Sequence, residues 1–170
     1  MTVFIALLRA VNVGGTGKLP MEDLRKLCEA CGFTGAKTYI ASGNVVFKSG
    51  KSASAVKRAL ETALAEYAGK PVGVLVRTAA EMAAVLEADP FPEAPGNRAV
   101  TIFLDETPPA NLTETLKGCR NELVVSGKRE IHVLYDEGMG TSKLVIPAAK
   151  SGTARNRNTV AKLVAMAAEI

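Results

Sequence analysis

The chain has 170 residues, 48% of them hydrophobic and 22% charged, which excludes a disordered polar chain and supplies material for one sizeable core or two small ones. The net charge of +4 is modest and excludes a polybasic protein; from Thr141 onward Lys143, Lys150, Arg155, Arg157 and Lys162 stand against Glu169 alone, so residues 1–140 are neutral. The longest strongly apolar stretch near the start, Val3 to Leu8, falls far short of the roughly 20 residues that cross a bilayer, so no membrane association is expected.

Residues Thr2 to Leu8 form a continuous β-prone apolar run and predict a buried strand. A glycine-rich loop follows, and Pro20 opens a helix, where its fixed φ fits. Leu24, Leu27, Cys28 and Cys31 lie at helical spacing on one face, and Gly32 ends the helix. Lys37 to Ile40 and Asn44 to Lys48 predict two strands joined by Ala41-Ser42-Gly43. A second helix is predicted from Ser54 to Tyr67, ended by Gly69, and a further strand from Val72 to Arg77. Thr78 and Glu81 have the spacing of a capping box, which starts a short helix.

The segment from Asp89 to Gly96 carries three prolines and marks a boundary, after which the pattern restarts. Ala99 to Leu104 predicts a strand. A helix is expected from Asn111 to Lys117, then a hairpin of Glu122 to Val125 and Glu130 to Tyr135, a loop, and a last helix from about Asn158. The fold class is therefore α+β. Two ferredoxin-like subdomains are expected over residues 1–90 and 97–170, a βαββαβ unit followed by a truncated βαββ-loop-α copy.

Three constellations suggest chemistry. Gly14-Gly15-Thr16-Gly17-Lys18 resembles a phosphate loop, but Asn12 stands where that motif has its first glycine and Leu19 where it has a magnesium-binding hydroxyl. A glycine loop with a lysine entering a helix still offers N–H groups to an anion, and a flexible turn explains it as well. Cys28 and Cys31 have the spacing of a redox or zinc half-site; they sit late in the helix on its apolar face and read as packing residues, so neither metal nor cofactor is expected. His132, the only histidine, has no nucleophile tied to it by a motif. Three cysteines, an odd number, make no disulfide framework, and no basic leader precedes the first apolar run. A reducing cytoplasm is the expected location.

Strand order brings candidate ligand residues together. In a ferredoxin-like sheet the end of the first strand, the start of the third and the start of the first helix share one edge. Arg9, Asn12, Lys18, Ser42 and Asn44 then form one neighbourhood, and Gly14 and Gly15 of the glycine loop join them as candidate ligand residues. Arg9 closes an apolar strand and needs a polar partner, either as an internal brace or as the rim of an anion site.

The motifs Leu7-Leu-Arg-Ala-Val-Asn-Val-Gly-Gly15, Lys18-Leu-Pro-Met21, Thr38-Tyr-Ile-Ala-Ser-Gly-Asn-Val-Val-Phe47, Asp89-Pro-Phe91, Ser142-Lys-Leu144 and Thr153-Ala-Arg-Asn156 with Asn158-Thr159 resemble the bacterial DUF1697 family over essentially the whole chain. The resemblance implies an α+β fold of two ferredoxin-like subdomains and no established activity, substrate or catalytic residue. Many members carry Trp after the Arg-Asn pair, where this chain has Arg157. Charge and the family motifs add Lys143, Arg155 and Asn156 to the candidate ligand residues.

Three functional readings follow: a module binding a small anionic or phosphorylated ligand, or a nucleic acid backbone; an enzyme acting on such a ligand; and an interaction protein without ligand. Whether the chain is an enzyme is left open. Base stacking on Phe4 and Phe47, as in RNA-recognition sheets, competes with a core role for both rings.

Overall fold

The computed structural model describes residues 1–12 and 18–170. The protein is α+β, and the described residues form two four-stranded antiparallel sheets and four α-helices. Two compact units emerge, one of residues 1–83 with 162–170 and the other of residues 84–161.

In the first unit the order is β1 (Thr2–Leu8), α1 (Met21–Ala30), β2 (Thr34–Thr38), β3 (Asn44–Ser49), α2 (Ala53–Ala68) and β4 (Val74–Thr78), with α3 (Ala79–Glu87) beginning at its end. The sheet runs β2-β3-β1-β4. Period-two alternation turns Phe4, Ala6 and Leu8 of β1 with Val45 and Phe47 of β3 toward one face. Leu24 and Cys28 of α1 and Val56, Leu60 and Leu64 of α2 complete that core. The edge strand β4 is guarded at its start: Glu61 accepts from the Val74 N–H at 3.1 Å, and Lys57 donates to the Val74 carbonyl.

The second unit contains β5 (Ala99–Phe103), β6 (Leu123–Ser126), β7 (Glu130–Leu134) and β8 (Thr153–Asn156); α4 (Arg157–Glu169) follows β8, and its residues from Lys162 onward belong to the first unit. Its sheet order is β6-β7-β5-β8, the same pattern as the first. Val100, Ile102, Ile131 and Val133 pack with Leu112, Tyr135 and Ile146.

Two expectations are corrected here. The helix expected over Asn111 to Lys117 is only a 3₁₀ turn, Leu112–Thr115. Two threonines in four residues hold the helix propensity down, the Thr115 hydroxyl donates to the Leu112 carbonyl at 2.8 Å, and Lys117 instead bridges to Val145. The segment expected to be a loop before the last helix contains β8, so the fourth strand is present, and only 3₁₀ turns lie between the third and fourth strands.

Smaller differences have local causes. Pro20 is the N-cap of α1, extended at φ −60° and ψ 141°, one residue before the helix starts. Strand β2 lies earlier than Lys37 to Ile40 because Gly35, at φ 67°, forms an irregularity between Thr34 and Lys37 that the strand absorbs.

The two fourth strands end alike. Arg77 pairs with Ile5, and Arg155 with Thr101. Both arginines are buried, and each donates back to the carbonyl before it, Val76 at 3.0 Å and Ala154 at 2.9 Å. The next residue caps a helix in each case. Thr78 and Glu81 make a reciprocal capping box at 2.8 and 3.1 Å, and Asn156 accepts from the Thr159 N–H at 3.0 Å. A strand–Arg–cap–helix step is thus repeated in the two units.

Candidate functional site

Strand β1 delivers its last residues to a crowded pole of the first sheet. The Leu8 N–H donates to the Gly43 carbonyl and the Arg9 N–H to the Gly73 carbonyl, both at 2.9 Å. These bonds pin the chain between the β2–β3 turn and the α2–β4 loop. Ala10 and Asn12 then take left-handed φ values of 51° and 57°, a conformation asparagine tolerates better than alanine. The Asn12 amide donates to the carbonyls of Leu19 at 2.9 Å and Ala41 at 2.8 Å, and its oxygen accepts from the Leu19 N–H at 2.6 Å. That side chain is committed to bracing three segments.

Beside this brace lies a cavity of about 400 Å³, with Arg9, Lys18 and Lys70 among its lining residues and an apolar wall that includes Leu64 and Val72. The three cations come from the end of β1, the approach to α1 and the α2–β4 loop. The Arg9 stem lies across Gly73, where a Cβ would come within 3.0 Å of its Cδ; the absence of a side chain there gives the arginine its course. Lys18 and Lys70 are exposed and Arg9 half-buried. The wall also holds Tyr67, whose hydroxyl donates to Asp23 at 2.6 Å. That bond, followed by burial and the Asp23 charge, raises the Tyr67 pKa. The described lining residues include no carboxylate.

The first turn of α1 already carries Glu22 and Asp23, acidic groups that use the favourable end of the helix dipole. The positive character of this pole therefore comes from the side chains at the cavity rather than from the helix N-terminus.

Of the residues expected to bind a ligand, Arg9 and Lys18 meet in this cavity. Gly14 and Gly15, and with them the phosphate-loop-like segment up to Gly17, lie outside the described residues. Ser42 and Asn44 serve the β2–β3 turn: the buried Asn44 amide donates to the Tyr39 carbonyl at 2.8 Å and to the Ser42 hydroxyl at 2.9 Å. In the second unit Lys143 borders a small polar cleft of about 60 Å³, and its carbonyl leaves room for nothing larger than glycine at Gly118. Arg155 donates to the Thr153 hydroxyl at 2.7 Å, and burial brings its pKa down to about 10. Asn156 is occupied as the cap of α4.

Lys70 and Tyr67 were not expected at the site. The signal for them was topological: β1 and β4 are antiparallel neighbours with Leu8 beside Val74, so the end of α2 and the loop into β4 must reach the pole where β1 ends. Arg157 donates to Asp89 at 3.0 Å, to the Phe91 carbonyl at 2.7 Å and to the Ala94 carbonyl. It ties down the proline-rich segment.

The remaining chemical candidates are packing groups. Cys28 is buried, and burial pushes its thiol up to about 12; Cys31, half-buried, is raised by the same cause. Among the described residues no group of three or more His, Cys, Asp or Glu side chains is placed to hold a metal ion. Phe4 and Phe47 are buried, which removes them as stacking platforms for bases.

His132 is buried, with Nδ1 3.2 Å from the Thr101 hydroxyl. Burial lowers its pKa, opposed by the charges of Asp89 and Glu130. A lowered folded pKa means that acid binds the unfolded chain more readily. The His132 contribution to stability is complete above its ordinary value of about 6.5 and is lost as the pH falls from there through the folded value. The melting temperature is expected to fall as the pH drops below about 6.5, and His132→Gln to flatten that part of the profile. Parallel profiles for the two proteins would show that another group governs acid sensitivity.

A sequence profile described as "Protein of unknown function (DUF1697)" matches residues 1–132, and the chain belongs to that family. No curated protein matches it. Among solved structures, the conserved bacterial protein SP0830 from Streptococcus pneumoniae is 24% identical, with 98% of each chain covered and a TM-score of 0.78. That likeness establishes the fold and carries no function. Among the described residues no helix is long and apolar enough to cross a membrane.

Proposed function

We propose that the protein binds a small organic anion, with a phosphate as the preferred head group, in the cavity lined by Arg9, Lys18 and Lys70. The observation that carries this reading is the convergence of three cations from three separate segments on one cavity of about 400 Å³. Like charges brought together repel, and an anion between them relieves the repulsion. Arginine supplies a planar fork suited to phosphate oxygens, and the lysines supply point charges. The volume is within the range of small-molecule sites. We also read each unit as ferredoxin-like: the shared strand order, with the first strand between the third and fourth, supports it. The three unpaired thiols fit a reducing cytoplasm.

Thermal unfolding tests the proposal. Phosphate or sulfate near a hundredfold excess over its dissociation constant adds about 2.7 kcal/mol, which raises the melting temperature by roughly 5–10 °C for a chain of this size. Chloride at matched ionic strength is expected to give little of this rise. Arg9→Ala, Lys18→Ala and Lys70→Ala should each reduce it, and the triple variant should abolish it. Equal shifts in wild type and triple variant would remove the site.

A further inference from the structure

The cavity has more than charge. Its cations suit a phosphate, which offers them more acceptor oxygens than a single carboxylate does. Its volume of about 400 Å³ exceeds what a bare phosphate fills and falls where drug-sized organic ligands bind. Leu64 and Val72 give it an apolar wall. The half-exposed ring of Tyr67 stands in the same wall, its far end held by the bond to Asp23 at 2.6 Å. An aromatic ring anchored at its hydroxyl gives up little conformational entropy when a ligand stacks on it.

We propose that the ligand is a phosphomonoester that carries a planar ring, bonded directly as in an aryl phosphate or through a ribose as in a nucleoside monophosphate, with the phosphate at Arg9, Lys18 and Lys70 and the ring against Tyr67 and Val72. This rests on the anion reading above. It adds the ring, the part of the ligand that phosphate alone cannot report. Stacking of a ring on an aromatic side chain contributes about tenfold or more in affinity.

The test is titration calorimetry on the full chain with four ligands at one ionic strength: inorganic phosphate, glycerol phosphate, phenyl phosphate and adenosine monophosphate. The two ring phosphates are expected to bind about tenfold tighter than the other two. The order between them tells a simple aryl group from a nucleoside. Tyr67→Ala should bring the ring phosphates down to the level of inorganic phosphate, and Tyr67→Phe, which keeps the ring, should retain the preference. Four affinities within about twofold of one another, or a preference unchanged in Tyr67→Ala, would overturn the ring proposal and leave the anion site standing. Failure of all four ligands to bind would take down both.

Discussion

Truncating Phe47 to alanine is expected to lower the unfolding free energy by about 3–5 kcal/mol, the range for removing a buried aromatic side chain. Phe47 is fully buried in β3. Its ring stacks on Phe33 with centroids 4.3 Å apart and planes 7° from parallel, and meets Phe4 at 6.1 Å and 32°. Losing it opens a cavity between the sheet and α1, and three rings lose their shared contact. In a chain of 170 residues that loss corresponds to a melting temperature lower by roughly 10 °C. Urea unfolding measures it directly. The same variant decides between core and nucleic-acid roles: a surface stacking residue would show the opposite result, an unchanged melting temperature with weakened oligonucleotide binding.

Much of the first unit was legible because its signals are local and agree with one another. The apolar run Thr2 to Leu8 is β1 to the residue, and the Thr78–Glu81 box forms with both reciprocal bonds. The second unit was harder because it departs from local preference. Thr153-Ala-Arg-Asn156 is four residues long with a polar majority, too short for alternation to register. It is a strand because β5 offers it a partner along Val100 to Phe103. A helix was expected after two prolines and Asn111, yet Leu112 and Leu116 are taken by packing in the second core, and only one 3₁₀ turn survives there. The repeat of Arg77-Thr78 and Arg155-Asn156 at the two strand–helix steps is two residues wide, too small to stand out before the strands were known.

At the site, the strand order inferred from the sequence correctly placed the end of β1 beside the start of β3. It could not say which polar side chains at that pole line the cavity and which serve the backbone. Asn12 and Asn44 each satisfy carbonyls that a tight turn leaves without a ladder partner, a demand visible only once the turn geometry exists. Tyr67 is at a helix end and Lys70 in the loop after it, with no motif around them, so their place at the cavity follows from the pairing of β1 with β4.

Replacing Gly43 with alanine should be the most damaging single-methyl change at this pole. Gly43 has φ 91°, a conformation in which an L side chain costs about 1–2 kcal/mol. A Cβ there would lie 2.7 Å from Val11 Cγ2 and 2.9 Å from Leu8 Cβ, both buried, and such overpacking adds about 1–3 kcal/mol. A total loss of roughly 2–5 kcal/mol is expected. The atoms forced to move belong to the segment that carries Arg9 and Asn12, and the Leu8 N–H to Gly43 carbonyl bond at 2.9 Å ties the turn to it. The phosphate-dependent rise in melting temperature should therefore shrink together with stability. Gly50→Ala is the control: nothing lies within 4 Å of its added methyl, and a change within about 0.5 kcal/mol is expected. Ser42→Ala separates the turn's chemistry from the ligand's. It removes the acceptor that Asn44 uses at 2.9 Å, costing about 1 kcal/mol, and should leave the phosphate shift in place. If Gly43→Ala unfolds with the same midpoint as Gly50→Ala, the close packing of this turn on β1 is not what holds the cavity's wall. If Ser42→Ala abolishes the phosphate shift, the hydroxyl belongs to the ligand rather than to the turn.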